Sequence, residues 1–390
     1  MPNVRVSQRS AIPPFIVMDV MQAAADLEAQ GRRVWHLEVG QPCTQAPAGA
    51  RNAVAKAIEE ELLGYSLALG MQPLRERIAR HYSDWYGYAL DPARVAVTAG
   101  ASGGVVMACL AAFDPGARVA VPTPGYPCYR NTLVALGLTP VPLRLGPEED
   151  YRPTPEALAA LGPIDGLIVA SPNNPTGTVL RAAELALLAD YCRSEGVRLI
   201  SDEIYHGLNY LEEQSARPDI TAVAHLDEAI VIQSFSKYFS MTGWRVGWMV
   251  LPPALVRPVE LLSQNLAIAT ATPSQYAALA SFDCYAELDA HKARYRHNRE
   301  LVLQALRGCG VARLAPADGA FYVYANVEHL TGDSARLCQR ALQELGVAIT
   351  PGLDFDPEEG HKTVRISYAR STEEVGEAME RLAAWLPKYR

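Results

Sequence analysis

No stretch of this 390-residue chain stays apolar for the roughly 20 residues that a bilayer-crossing helix needs. Arg5 and Arg9 ahead of an apolar piece loosely imitate a secretory leader, but Pro13 and Pro14 interrupt that piece and Asp19 closes it. A short extended arm entering a helix over residues 17–29 is expected instead. The seven cysteines are odd in number and contain no C-x-x-C pair, which argues against a disulfide framework and for reduced thiols in a cytoplasmic protein. The eight histidines show no metal spacing such as H-E-x-x-H. Basic residues are in deficit, 35 Lys and Arg against 43 Asp and Glu. A net charge of −8 speaks against a nucleic-acid or membrane-surface binder, though it permits a locally basic pocket. Repeats, low-complexity tracts and long linkers are also absent.

What is present is apolar content of 49%, ample for buried cores, and a length that favours two domains. Short runs rich in Val, Ile and Leu cover residues 94–98, 118–122, 166–170, 197–201, 229–233 and 246–251. Their near-continuous apolar character fits strands covered on both faces. Helical patterns such as residues 181–195 separate them, so the fold class is α/β, with a mostly parallel sheet between helices. From residue 290 a long charged helix, strands over 319–325 and 363–368, and an amphipathic helix over 372–385 suggest a smaller α+β layer. The expected division is an arm and part of a small domain over 1–45, a large domain over 46–285 and a small C-terminal domain over 286–390.

Three of the predicted strands end in reactive residues. After 166–170 comes Ser171-Pro172-Asn173-Asn174-Pro175-Thr176-Gly177; after 197–201 come Asp202, Glu203 and Tyr205; after 229–233 come Ser234, Ser236 and Lys237. In a parallel sheet these ends share one edge, where ligands of open α/β sheets bind. Hydroxyls with Arg245 make a phosphate seat, and a lysine beside such a seat is a candidate Schiff-base nucleophile. Lysine, phosphate and aldehyde together suggest pyridoxal phosphate. Asp202 would then hold the protonated pyridine nitrogen, and Asn174 and Tyr205 would hydrogen-bond the phenolate oxygen. The small-residue turn around Gly100, Ala101 and Ser102 precedes a helix expected from about Val105 and offers an anion seat. Each feature has a plainer reading: Asp202 as a helix cap, the Asn174 segment as an ordinary turn, Tyr126 as a turn aromatic. Arg365, on a half-buried strand, needs a partner, either a structural salt bridge or a substrate carboxylate.

Taken in order, Asn173-Asn174-Pro175-Thr176-Gly177, Ser201-Asp202-Glu203-Ile204-Tyr205, Ser234-x-Ser236-Lys237 with Gly243-x-Arg245-x-Gly247, and Val364-Arg365-Ile366-Ser367-Tyr368 resemble the class I/II aminotransferases of pyridoxal-phosphate fold type I, along essentially the whole chain. The resemblance implies that Lys237 binds the cofactor aldehyde, with Asp202, Asn174 and Tyr205 on the ring. Tyr126 would stack on that ring, and Ala101, Ser102, Ser234, Ser236 and Arg245 would hold the phosphate. It implies that Arg365 grips the substrate α-carboxylate, that Gly40 approaches the same carboxylate, and that Tyr65 reaches the phosphate of a second copy in a homodimer. The turn at Ala101-Ser102 departs from relatives with a longer polar or basic side chain there. Residues 51–63 and 266–275 are expected to shape the side-chain pocket, and Arg130 is a candidate for a second substrate carboxylate.

The implied activity is transfer of an amino group from an L-amino acid, such as aspartate, alanine or an aromatic donor, to 2-oxoglutarate or pyruvate by a ping-pong mechanism. A carbon–sulfur β-lyase or an amino-acid decarboxylase would use the same residues. A non-catalytic ligand sensor of the same fold is disfavoured by the acidic charge balance.

Overall fold

The computed structural model describes residues 4–211 and 219–389. In chain order its strands are β1 (Trp35–His36), β2 (Val95–Thr98), β3 (Arg118–Thr123), β4 (Thr139–Arg144), β5 (Gly166–Ala170), β6 (Arg198–Asp202), β7 (Ile230–Ser234), β8 (Gly247–Val250), β9 (Tyr322–Asn326), β10 (Val347–Ala348), β11 (Thr350–Pro351) and β12 (Thr363–Ser367). Seven of them form one sheet in the order β2-β8-β7-β6-β5-β3-β4. All neighbours in it are parallel except β8, which runs antiparallel to both β2 and β7.

Side-chain alternation explains why these runs are apolar throughout. Leu167, Val169, Leu199 and Val231 enter one hydrophobic core, whereas Ile168, Ile200, Ile230 and Ile232 enter another on the opposite face. Helices cover both faces, so the middle positions of these strands are apolar and polar side chains gather toward their ends. Burying each such side chain contributes about 1.5–3 kcal/mol.

β4 is not apparent from its residues, Thr139-Pro140-Val141-Pro142-Leu143-Arg144. Proline cannot donate to a ladder, but β4 lies at the sheet edge, beside β3 alone, where two prolines are tolerated. The helix expected from about Val105 begins earlier, at Gly100, and runs to Ala112. β9 begins at Tyr322 rather than 319, because Ala317 and Ala320 adopt positive φ and keep the preceding segment out of the extended conformation.

Beside the large sheet, β9, β12 and β11 form an antiparallel sheet in the order β11-β12-β9, and β1 pairs in parallel with β10. The first helix, α1 (Ile16–Ala29), packs on β10 and β11. The final helix, Thr372–Trp385, has the bounds expected from its pattern, and Ser371 with Glu374 closes a capping box at its start. No helix among the described residues is long and apolar enough to cross a membrane.

Candidate active site

The C-terminal ends of β5, β6 and β7 open on a cavity of about 210 Å³. Register puts them there: Ala170 pairs with Asp202, and Asp202 with Ile232. Of the candidate site residues named from the sequence, Gly100, Tyr65 and Arg130 lie outside the lining of this cavity and the others line it.

Asp202 is buried, and its two oxygens are separately occupied. Oδ1 accepts from the Ile204 amide at 3.1 Å, and Oδ2 accepts from the Tyr129 hydroxyl at 2.5 Å. Burial pushes its pKa up to about 6, with Tyr129, the Ile204 amide and Lys237 opposing. It is therefore still ionised at neutral pH. Tyr129 was missed in the sequence. Its signal is weak: it lies three residues after Tyr126, on the helix Pro127–Leu136, which places both rings on one face. The rings meet edge-on at 5.4 Å.

Lys237 is half-buried, and its Nζ donates to the Gly40 carbonyl at 2.7 Å. Burial lowers its pKa to about 8; Arg365 and Arg245 push the same way, and Asp202 opposes them. Gly40 is required by its surroundings, since a Cβ there would lie 1.7 Å from the Tyr322 hydroxyl. That hydroxyl pairs with the Tyr205 hydroxyl at 2.8 Å. Tyr322 is a second residue whose place the sequence did not disclose beyond its position in the strand expected over 319–325.

A group of donors suited to a phosphate ester lies near the start of the helix Gly100–Ala112. The Ser234 hydroxyl donates to Ser236 Oγ at 2.9 Å, and Arg245 Nη1 reaches Ser236 Oγ at 3.5 Å. Arg245 is held in the left-handed region by its backbone (φ 49°) and donates to the Thr242 carbonyl at 3.0 Å. A Cβ on Gly100 would come within 2.5 Å of Arg245 Nη2, so glycine keeps this cradle open. Gly100 thus borders the cavity through Arg245 rather than lining it.

Arg365 is fully buried on β12, not half-buried as its strand pattern implies. Its partners are neutral: Nη1 donates to Asn174 Oδ1 at 2.9 Å and Nη2 to the Glu38 carbonyl. Its Nε has no hydrogen-bond partner among the described residues. The rings of Tyr322 and Phe355 cover it at 4.4 and 4.6 Å. This guanidinium is shaped and pinned, with capacity left for an anion.

Two expectations are revised. Arg130 does not line the cavity; its Nη2 donates to the Asp354 carbonyl at 2.8 Å. Residues 51–63 and 266–275 do not reach the cavity of their own chain; α1 and the residue before it do, through Phe15, Val17 and Met18. Tyr65 is 84% exposed and lies outside its own chain's cavity.

Residues 32–382 match the family model for aminotransferase class I and II. This chain belongs to the class I and II aminotransferases. A curated relative, a valine–pyruvate aminotransferase from Mycobacterium tuberculosis, is 47% identical over 98% of this chain and 99% of its own length. The crystal structure of an aminotransferase from the same organism superposes with a TM-score of 0.96 at 46% identity, covering 99% of this chain and all of the other. An aspartate aminotransferase from Thermus thermophilus, solved with maleate, superposes with a TM-score of 0.91 at 30% identity, covering 98% and 99%. Aminotransferases of this family depend on pyridoxal phosphate. The donor cradle at Arg245, the paired carboxylate of Asp202 and the cavity-facing amine of Lys237 fit that cofactor.

Proposed function

We propose that this aminotransferase moves the amino group of a neutral, apolar L-amino acid to pyruvate, with both substrates using one cavity in turn. The carrying observation is the cavity lining. Phe15, Val17, Met18 and Val39 are apolar, and among the described residues the cations lining it are Lys237, Arg245 and Arg365. Arg365 suits one α-carboxylate and Arg245 the cofactor phosphate, so a donor or acceptor with a second carboxylate, such as aspartate or 2-oxoglutarate, finds no further cation among the described lining residues. The name of the Mycobacterium relative supports the same choice, with valine as the donor to try first.

Pyridoxal phosphate, when bound, supplies an aldehyde that takes up amino groups and a cationic ring that accepts electrons from the substrate α-carbon. Lys237 would hold the aldehyde carbon and, once displaced by substrate, carry the α-proton on Nζ. Asp202 would keep the ring nitrogen protonated. Tyr126 would cover the ring, and Asn174 and Tyr205 would hold its phenolate oxygen. Gly100, Ala101, Ser102, Ser234, Ser236 and Arg245 would hold the phosphate. Arg365 would take the α-carboxylate, beside the Gly40 backbone. In this reading residues 1–45 and 286–390 form a small domain carrying Arg365 and α1, and residues 46–285 carry the cofactor.

A homodimer completes the reading. Leu62 is 95% exposed, and Leu67, Leu266 and Ile268 are exposed beside it. Their segments are joined, since Thr272 donates to the Gly64 carbonyl at 2.6 Å and Ser263 to the Ala68 carbonyl at 3.0 Å. A second copy of this chain would cover that apolar area and receive Tyr65 at its phosphate.

The test is a half-reaction. The purified holoenzyme is mixed with single amino acids while the cofactor absorbance is followed, then with pyruvate. Valine and alanine are expected to convert the spectrum and pyruvate to restore it, with aspartate and glutamate slow. Pyruvate and ammonia released from cysteine-type substrates without spectral conversion would point to a β-lyase and overturn the assignment.

A further inference from the structure

α1 starts without a local cap. The residues before it are Pro13, Pro14 and Phe15, none with a side-chain acceptor, and the N-cap residue Phe15 makes no capping bond. The acceptor comes from the far end of the chain. Asp354 Oδ1 accepts from the Ile16 amide at 2.9 Å, and Oδ2 accepts from the Val17 amide at 3.3 Å. Asp354 is fully buried, and a carboxylate there also suits the positive end of the helix dipole.

The turn that carries Asp354 also contacts Arg130 and Arg365. Its backbone carbonyl accepts from Arg130 Nη2. The next residue, Phe355, covers the Arg365 guanidinium. On the other side, Phe15 packs edge-on against Tyr126 at 5.8 Å. The clamp therefore fixes where Phe15, Val17 and Met18 stand relative to both Arg365 and Tyr126.

We propose that Asp354 is a positioning residue that sets donor side-chain selectivity, by clamping the start of α1 so that Phe15, Val17 and Met18 form the wall against which the side chain packs. This rests on the reading that the cavity takes apolar donors. Asp354 touches neither substrate nor cofactor; it acts through two amides. Alanine is the internal control, since its methyl group is too short to use the wall that valine fills.

The experiment compares the wild-type holoenzyme with D354A and D354N, measuring kcat and KM for valine and alanine, and hydrogen exchange across residues 16–29. D354A is expected to raise the valine-to-alanine KM ratio about tenfold, from the loss of both cap bonds. Its kcat with alanine stays within about twofold of wild type. Exchange at the start of α1 speeds up. The isosteric D354N keeps one acceptor and raises the ratio about threefold; it carries the measurement should D354A not fold. An unchanged ratio in a folded variant overturns the proposal, as does a loss shared equally by the two donors. Wild-type enzyme inactive toward both donors would overturn the apolar-donor reading instead, and unchanged exchange in α1 would separately overturn the clamp.

Discussion

The two walls of the cavity are secured in different ways. On one, Asn174, Asp202 and Lys237 each stand within a few residues of the end of a parallel strand, and the ladder sets their spacing. On the other, Phe15, Val17 and Met18 stand at the start of a helix held by two bonds from Asp354, over 330 positions away. The sheet wall cannot shift without breaking a seven-stranded ladder. In the proposed reading the helix wall is held by that one side chain, chemistry shared by every substrate belongs to the first wall together with Arg365, and discrimination among side chains belongs to the second.

Substitutions can break this comparison. Those in the sheet wall should affect all donors alike, and those in the helix wall should sort them. The largest expected effect is Lys237→Ala, a loss of turnover on the order of 10⁴-fold or more with every donor, and of the bound cofactor's characteristic absorbance, while circular dichroism stays native. Arg365→Lys follows. A lysine cannot reproduce the bidentate fork, so KM for donor and acceptor should rise on the order of 50-fold together, measured by steady-state kinetics. Gly40→Ala should cost about tenfold in kcat/KM and lower Tm, because the new Cβ meets the Tyr322 hydroxyl; Tyr322→Phe in the same chain should recover part of the loss. Tyr129→Phe removes a bond that lowers the Asp202 pKa, so that pKa should rise further above about 6. Activity should fall about threefold, and more on the acid side, as the pH profile will report.

A pH measurement sharpens the same division. The Lys237 pKa is depressed to about 8. In cofactor-free protein, amine labelling of Lys237 should rise as pH passes through about 8, because the neutral amine reacts. Surface lysines should follow only near pH ~10. A midpoint near 10 for Lys237 would mean that burial and the two arginines do not act on it as the geometry implies.

The sheet wall was legible because a buried parallel strand is apolar until it ends. A polar cluster such as Ser201-Asp202 or Ser234-x-Ser236-Lys237 after such a run therefore announces the edge where ligands sit. The helix wall was not legible. Nothing near Pro13-Pro14-Phe15 indicates a cap, and Asp354 in Gly352-Leu353-Asp354 reads as an ordinary loop acid. Tyr129 and Tyr322 were hidden for a related reason. Their roles depend on what faces them across the cavity, the Asp202 carboxylate for one and the missing Cβ of Gly40 for the other. β4 was hidden by its two prolines, whose cost depends on an edge position that no local pattern reveals. The Arg130 side chain was ambiguous until its partner, a backbone carbonyl, was in place.

The long reach of Asp354 also sets an order of events during synthesis. Ile16 and Val17 are made 338 and 337 residues ahead of their acceptor. At roughly 5–20 residues per second that is a wait on the order of tens of seconds. The sheet that carries Lys237 and Asp202 is complete by residue 250, long before. The residues of the reactive edge are therefore synthesised well before the side chain proposed to tune the choice among amino acids.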